Sequence, residues 1–358
     1  MRVSWTPYKH VDMNRVEELL KESFRTKQLT NYGPNVKRLE QFIRERLQID
    51  DDRAVIATCN ATVSLDIVAR GIDLLTSIDN KWCTSSFTFP SSAQVKGGGS
   101  IVIVDVDSSH GLDLKSERLN EVNGIFATNV FGNSMDIEKY EEYAVRNKKY
   151  LVFDNAACLH TLYKGKSIHN YGHASVLSLH QTKAGGLGEG SILFTSRQLE
   201  PFCRRLLNFG IDNCSFNPVW EPMGMNGKMS DIAASFILSY LEENFDHIVS
   251  HHRSLYESFS YKLQRFGDRV KLFPDFSDRA SPVVPCFCII FDKKTDHLIK
   301  MFSNSGFQTR AYYNPLDRSC NNSVKLHETI ICLPCHTDVT LEILDEYVEI
   351  IENFLDEN

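Results

Sequence analysis

Two residues in this chain of 358 have the types and placement for imine chemistry. Asp154 closes an apolar run, Tyr150-Leu151-Val152-Phe153. Lys183 follows a second run, Val176-Leu177-Ser178-Leu179, just ahead of the glycine-rich stretch Gly185 to Gly190. An acid can keep a ring nitrogen protonated and an amine can form an imine, and pyridoxal phosphate (PLP) needs both groups. A lysine just past a buried strand is partly desolvated, which lowers its pKa and frees the neutral amine. Each residue also has an ordinary explanation: a solvated side chain for Lys183, a turn cap for Asp154.

Other segments could complete such a site. Thr58-Cys59-Asn60-Ala61-Thr62 joins a strand to a helix. Backbone N–H groups and a hydroxyl at a helix N-terminus make an anion site, although a plain N-cap has the same pattern. Ser178 could add a hydroxyl to the same anion. In Phe87-Thr88-Phe89-Pro90, which opens a helix after a strand, an aromatic could stack on a planar cofactor or belong to the core. Cys286-Phe287-Cys288 and Cys332-Leu333-Pro334-Cys335-His336 could be read as zinc ligands. The spacing is poor for a chelating knuckle and both segments read as apolar strands, so no residue is assigned to a metal.

The elements that would hold these residues alternate. Asp12 to Leu47 reads as two amphipathic helices broken at Thr30-Asn31-Tyr32-Gly33-Pro34. Strand-like runs follow at Ala54–Ala57, Ile101–Val104 (a buried strand by its β-branched content), Gly124–Thr128, Tyr150–Phe153, Val176–Leu179 and Ser191–Phe194. Helical patterns lie at Thr62–Ile72 and Asp136–Asn147. This alternation predicts an α/β/α layered domain with a mainly parallel sheet, in which ligands bind beyond the carboxyl ends of the strands. Asp105, Asp154 and the Cys59–Thr62 turn all fall at such ends. A long helical stretch, Ser230 to Phe266, leads into a smaller α+β region: strand Cys286–Phe291, helix Asp296–Phe302, a strand near Ile330–Leu333 and helix Leu341–Phe354. The division predicted is a large domain at 1–245 and a small C-terminal domain at 246–358.

Net charge is −7 with acids and bases interspersed, which disfavours a nucleic-acid partner. Ten cysteines without disulfide rhythm, no signal-like apolar core near Met1 and no membrane-length apolar run lead us to expect a cytoplasmic protein with free thiols.

With these residues laid out, the chain resembles the DegT/DnrJ/EryC1/StrS sugar aminotransferases, a branch of the fold type I PLP enzymes. The resemblance covers nearly the whole chain. Leu29-Thr30-Asn31-Tyr32-Gly33-Pro34-Asn35-Val36 is similar to the family's "LT.GP.V", Asn60-Ala61-Thr62 to its "NGT" turn and Ser86-Phe87-Thr88-Phe89 to "FTF". Phe153-Asp154-Asn155-Ala156 is similar to "EDAA", Ser178 to Lys183 to "SFHATK", and Gly188-Glu189-Gly190 to "GEGG". Gly224 to Ile232 resembles "GYNYRMSEI", and Arg310 to Leu316 and Leu333 to His336 resemble the terminal motifs.

The resemblance implies roles. Lys183 would be the Schiff-base lysine and proton shuttle, and Asp154 the partner of the pyridine nitrogen. Phe89 would stack on the ring; Ala61 through its N–H, Thr62 and Ser178 would hold the phosphate. Asn226 would reach the phosphate of a neighbouring subunit's cofactor, which implies a homodimer with shared active sites. The implied reaction moves an amino group from L-glutamate, through a pyridoxamine phosphate form, to a nucleotide-diphosphate keto sugar. Leu29-Thr30-Asn31 and Asn129-Val130-Phe131-Gly132-Asn133 are most like enzymes aminating dTDP- or UDP-linked 4-keto-6-deoxyglucose at C4, giving the viosamine type. A 3-keto sugar enzyme of the family and a non-catalytic PLP-fold regulator are the alternatives. Arg310, Tyr312 and Lys228 are candidates for the nucleotide or diphosphate. The chain departs from the family at Ala157, Ala184 and Ser191, which puts contacts to the ring hydroxyl and secondary phosphate contacts in doubt. A side branch that dehydrates carries histidine in place of the lysine, and Lys183 argues against it.

Overall fold

A computed structural model describes residues 2–99, 101–132, 134–212, 220–273, 280–281 and 283–357. Asn133, part of the 129–133 resemblance, lies outside them.

Two amphipathic helices open the chain, α1 (Met13–Thr26) and α2 (Pro34–Arg46). Asp12 caps the first by accepting the Asn14 amide at 2.9 Å, and Pro34 starts the second at the first-turn position that proline tolerates. Then come β1 (Arg53–Thr58), α3 (Ala61–Thr76), β2 (Trp82–Ser85), β3 (Ile101–Val104), β4 (Gly124–Thr128), α4 (Ile137–Arg146) and β5 (Tyr150–Asp154). Two short strands, β6 (Leu162–Tyr163) and β7 (Lys166–Ser167), precede β8 (Ala174–Ser178), β9 (Ser191–Ser196) and α5 (Glu200–Leu207).

Seven strands form the main sheet in the order β1-β9-β8-β5-β4-β2-β3. Pairings β3–β2, β2–β4, β4–β5 and β5–β8 are parallel. Strand β9 is antiparallel to both β8 and β1, so β1 runs in the same direction as β8. The carboxyl ends of β1, β2, β5 and β8 therefore share one edge. Alternate residues of β1 face opposite layers. Ala54 and Ile56 pack with α3 and α5, while Val55 and Ala57 pack with α2 and with helix α6 (Asp231–Leu263). This alternation builds the expected α/β/α layering.

Helix α6, 33 residues long, joins two cores. Through Val249 its apolar residues belong to the main-sheet core; from Leu255 they belong to a second core. That second core surrounds the sheet β10 (Val270–Phe273), β12 (Cys286–Phe291) and β13 (Ile330–Pro334), with α7 (Asp296–Asn304) and α9 (Leu341–Asp356). Helix α8 (Asn321–Thr329) precedes β13, and β11 (Ala280–Ser281) pairs with β6.

Three sequence readings need correction. Ile101–Val104 is not fully buried: Ile101, Val102 and Ile103 are half-exposed because β3 is the sheet edge and pairs only with β2. The strand expected ahead of Phe87 is β2, Trp-Cys-Thr-Ser, whose bounds were not read because half its residues are polar; all four are buried between β3 and β4. Phe89-Pro90 opens only a 3-10 turn, Pro90–Ala93, because the chain turns again at Lys96 to Gly98, which adopt left-handed backbone angles.

Candidate active site

The shared strand edge gathers the candidate residues. Asp154 is the last residue of β5 and is buried. Its Oδ2 accepts the Ser92 hydroxyl at 2.5 Å and its Oδ1 accepts the Ala156 amide at 3.1 Å. Burial raises its pKa; those two donors and the Lys183 charge oppose the rise.

Lys183 sits in a tight turn just past β8. Its amide donates to the His180 carbonyl at 2.8 Å, and its carbonyl accepts the Gly186 amide at 3.1 Å. The turn is closed by Leu187 N–H to Leu179 O at 3.1 Å and Gln181 N–H to Gly188 O at 2.8 Å. Gly186 is required for this close approach, since a Cβ there would lie 2.0 Å from the His180 carbonyl oxygen. Burial lowers the Lys183 pKa, opposed first by the Asp154 carboxylate. Among the described residues no hydrogen bond or ion pair claims its amine. The turn thus presents an amine biased toward its neutral, nucleophilic form and facing a buried acid.

The turn after β1 is the second part. Asn60 caps α3 by accepting the Val63 amide at 3.0 Å. The Asn60 cap takes the Val63 amide and leaves the N–H groups of Ala61 and Thr62 at the free end of a helix of 16 residues. The Thr62 and Ser91 hydroxyls lie 2.6 Å apart. The Pro90–Ala93 turn therefore links both halves of the site: Ser91 touches Thr62 and Ser92 holds Asp154. Neither serine was singled out in the sequence, since nothing local marks a serine whose partner lies 29 or 62 positions away. Ser178, at the end of β8, is buried, and its Oγ accepts the His180 amide at 3.2 Å.

Phe87 and Phe89 divide their roles. Phe87 is core, while Phe89 is 56 % exposed at the strand edge, in edge contact with Tyr313 at 6.4 Å. An exposed ring beside a buried acid and a buried amine fits a planar heterocycle laid over it. These features accommodate PLP: an acid for the ring nitrogen, an amine for the aldehyde, an aromatic face, and hydroxyls with helix N–H groups for the phosphate.

The remaining candidates form two groups. Arg310 and Tyr312 lie together, with the Arg310 guanidinium 5.2 Å from the Trp5 ring and Tyr312 in edge contact with Trp5 at 5.7 Å. Tyr313 stacks on Phe131 and touches Phe89, connecting this group to the strand edge. Lys228 and Asn226 lie instead beside the phosphate turn: Lys228 bridges Thr58, and the Cys59 amide donates to the Gly227 carbonyl at 2.9 Å. Lys228 Nζ donates to Asn208 Oδ1 at 2.8 Å, and Asn226 is exposed. No described contact joins the two groups. Asp105 is a helix cap, accepting from Asn322 and Ser323 at the start of α8.

The cysteine segments are brought together only in part. Cys286, Cys288 and Cys332 place their sulfurs within 4.8 Å of one another. Strand register accounts for this: Cys288 lies directly opposite Cys332, and Cys286 shares its face two residues along. Cys335 instead contacts His252 at 3.8 Å, and His336 Nε2 bonds the Ser4 carbonyl at 2.9 Å. Of the residues weighed as zinc ligands, Cys286, Cys288 and Cys332 are together, and Cys335 and His336 make other contacts.

Comparison with known proteins agrees with this geometry. Residues 11–352 match the DegT/DnrJ/EryC1/StrS aminotransferase family. A dTDP-4-amino-4,6-dideoxy-D-glucose transaminase from Shigella dysenteriae is 25% identical over 361 aligned residues, covering 92% of each chain. GDP-perosamine synthase from Caulobacter vibrioides is 25% identical, over 84% of this chain and 85% of its own. Among solved structures, Helicobacter pylori PseC, an aminotransferase involved in the biosynthesis of pseudoaminic acid, superposes with a TM-score of 0.86 at 16% identity over 100% of both chains.

Proposed function

The chain belongs to the DegT/DnrJ/EryC1/StrS aminotransferase family of PLP-dependent sugar aminotransferases, and from that premise we propose that it transfers an amino group from L-glutamate to C4 of a nucleotide-linked 4-keto-6-deoxyglucose. The observation that carries the site assignment is Lys183: a buried amine with no hydrogen bond among the described residues, facing the buried Asp154 at the carboxyl edge of a mainly parallel sheet. The similarity to the Shigella transaminase supports the 4-amino-4,6-dideoxy sugar.

When bound, PLP supplies an electrophilic carbon for amine exchange and a protonated ring that accepts the electrons left by a broken C–H bond. The protein's residues do the rest. Asp154 would hold the proton on the ring nitrogen, its carboxylate oriented by the Ser92 hydroxyl. Lys183 offers a neutral amine for cofactor attachment and, once displaced, would carry the proton between the substrate carbon and the cofactor carbon that exchanges the amine. Thr62, Ser178 and the Ala61 N–H at the start of α3 would hold the phosphate, and Phe89 would cover the ring face. Arg310 and Tyr312 on one side and Lys228 on the other are the groups with charge and hydroxyls suited to a nucleotide diphosphate. Exposed Asn226 suits a contact with a second copy, so we read the working unit as a homodimer with shared sites.

The test is a coupled assay of glutamate consumption with dTDP-, UDP- and GDP-linked 3-keto and 4-keto sugars. Turnover with a 4-keto-6-deoxy sugar supports the proposal; turnover confined to 3-keto sugars, or none, contradicts it.

A further inference from the structure

Lys9 lies far from the strand edge in sequence, and nothing above gives it a role. Its ammonium donates to the backbone carbonyls of Gln181 at 2.9 Å and Lys183 at 2.7 Å, and also to that of Gly186. An ammonium has three donor hydrogens, and three carbonyls of one turn accept them. Among the described residues no carboxylate pairs with it. The other groups around it are the Tyr240 ring, 5.5 Å away, and the His252 and His336 rings, whose protonation its charge disfavours. Asp338 accepts the amide of Tyr8, the residue before Lys9, at 3.2 Å. Burial pulls the Lys9 pKa down to about 7, while the three carbonyl acceptors favour the charged form.

The segment that presents Lys9 is fixed from the second core. Val3 pairs with Phe307, the Trp5 amide donates to Gln308 Oε1 at 2.6 Å, and His336 bonds the Ser4 carbonyl. Residues 3–8 are thus tied to elements around the smaller sheet, and residue 9 reaches across to the turn that carries Lys183.

We propose that Lys9 is a positioning residue: its ammonium clamps the carbonyls of the 181–186 turn and so fixes the direction in which the Lys183 side chain leaves the backbone. The proposal rests on the assignment of Lys183 as the cofactor-binding lysine. Three carbonyls converging on one point repel one another unless a cation sits there, and the turn's shape is set by where that cation is held. Lys9→Met removes the charge and keeps the bulk; Lys9→Arg keeps a cation.

The test measures hydrogen exchange of the amides at 181–187 in the cofactor-free chain. It also measures the pH midpoint of the visible band of the PLP-loaded enzyme, and kcat and KM. Lys9→Met should speed exchange in that turn and lower kcat by about tenfold or more, the scale set by small misplacements of a reacting group, with KM for glutamate changed less than about twofold. It should also shift the pH midpoint, and Lys9→Arg should recover most of each effect. Should Lys9→Met not fold, Lys9→Gln is read the same way. Wild-type exchange, midpoint and kcat in a folded Lys9→Met or Lys9→Gln chain overturn the proposal and leave the Lys183 assignment intact. A Lys183→Ala chain that retains the visible band overturns the assignment instead.

Discussion

Burying either Asp154 or Lys183 alone would be unfavourable, and each eases the other only partly: burial still pushes the acid up and the amine down. The amine is thereby biased toward its neutral form, and a protonated ring nitrogen beside Asp154 would favour the ionised acid. Asp154→Asn keeps the shape and the Ser92 contact but removes the charge. It should lower kcat by about 100-fold or more, the scale for removing one aimed electrostatic group, while cofactor attachment at Lys183 persists. Steady-state kinetics and the absorption spectrum check this. The sequence marked both as candidates, Asp154 at the end of one apolar run and Lys183 shortly after another, and the family resemblance gave them their roles. Ser91, Ser92 and Lys9 were not marked, because their significance lies in partners brought near only by the fold.

At the level of elements, the direction of the strands gives the site its edge and the turns after them give it its groups. The alternation of strand and helix could be read from β-branched runs and helical spacing. What could not be read were the bounds of β2, whose cysteine, threonine and serine pack between neighbours without an apolar signature, and the edge position of β3. The reversed strand β9 also escaped, since a buried antiparallel strand has the same continuous apolar pattern as a parallel one. The Lys183 turn is the least tolerant of these pieces. Gly186→Ala would place a methyl 2.0 Å from the His180 carbonyl oxygen, so the turn must open. PLP affinity should fall by about tenfold or more, as expected for a displaced reacting group, in a titration of the cofactor-free chain.

Across the whole molecule, two cores meet along one helix. We propose that the division between a large and a small unit falls on α6 between Val249 and Leu255, where its apolar residues pass from one core to the other. Among the described residues no helix is long and apolar enough to cross a membrane. Two histidines are buried: His169, held between Ser175 and the Cys158 carbonyl, and His252, bonded to the Val284 carbonyl. Burial lowers their pKa values to about 3 and about 4. The unfolded chain therefore binds more protons than the folded one below about pH 6.5, so stability is lost as pH falls from about 6.5 toward 3. Denaturant unfolding at pH 7 and pH 5 should show a loss on the order of a few kcal/mol, and His169→Asn should reduce the difference.

The central claim is that Lys183 holds the cofactor. Reducing the PLP-loaded protein with borohydride and mapping the pyridoxyl label by peptide mass tests it most directly. The account predicts the label on Lys183 alone, in about one copy per chain. A label on another lysine, or none on a protein that binds PLP, would contradict it.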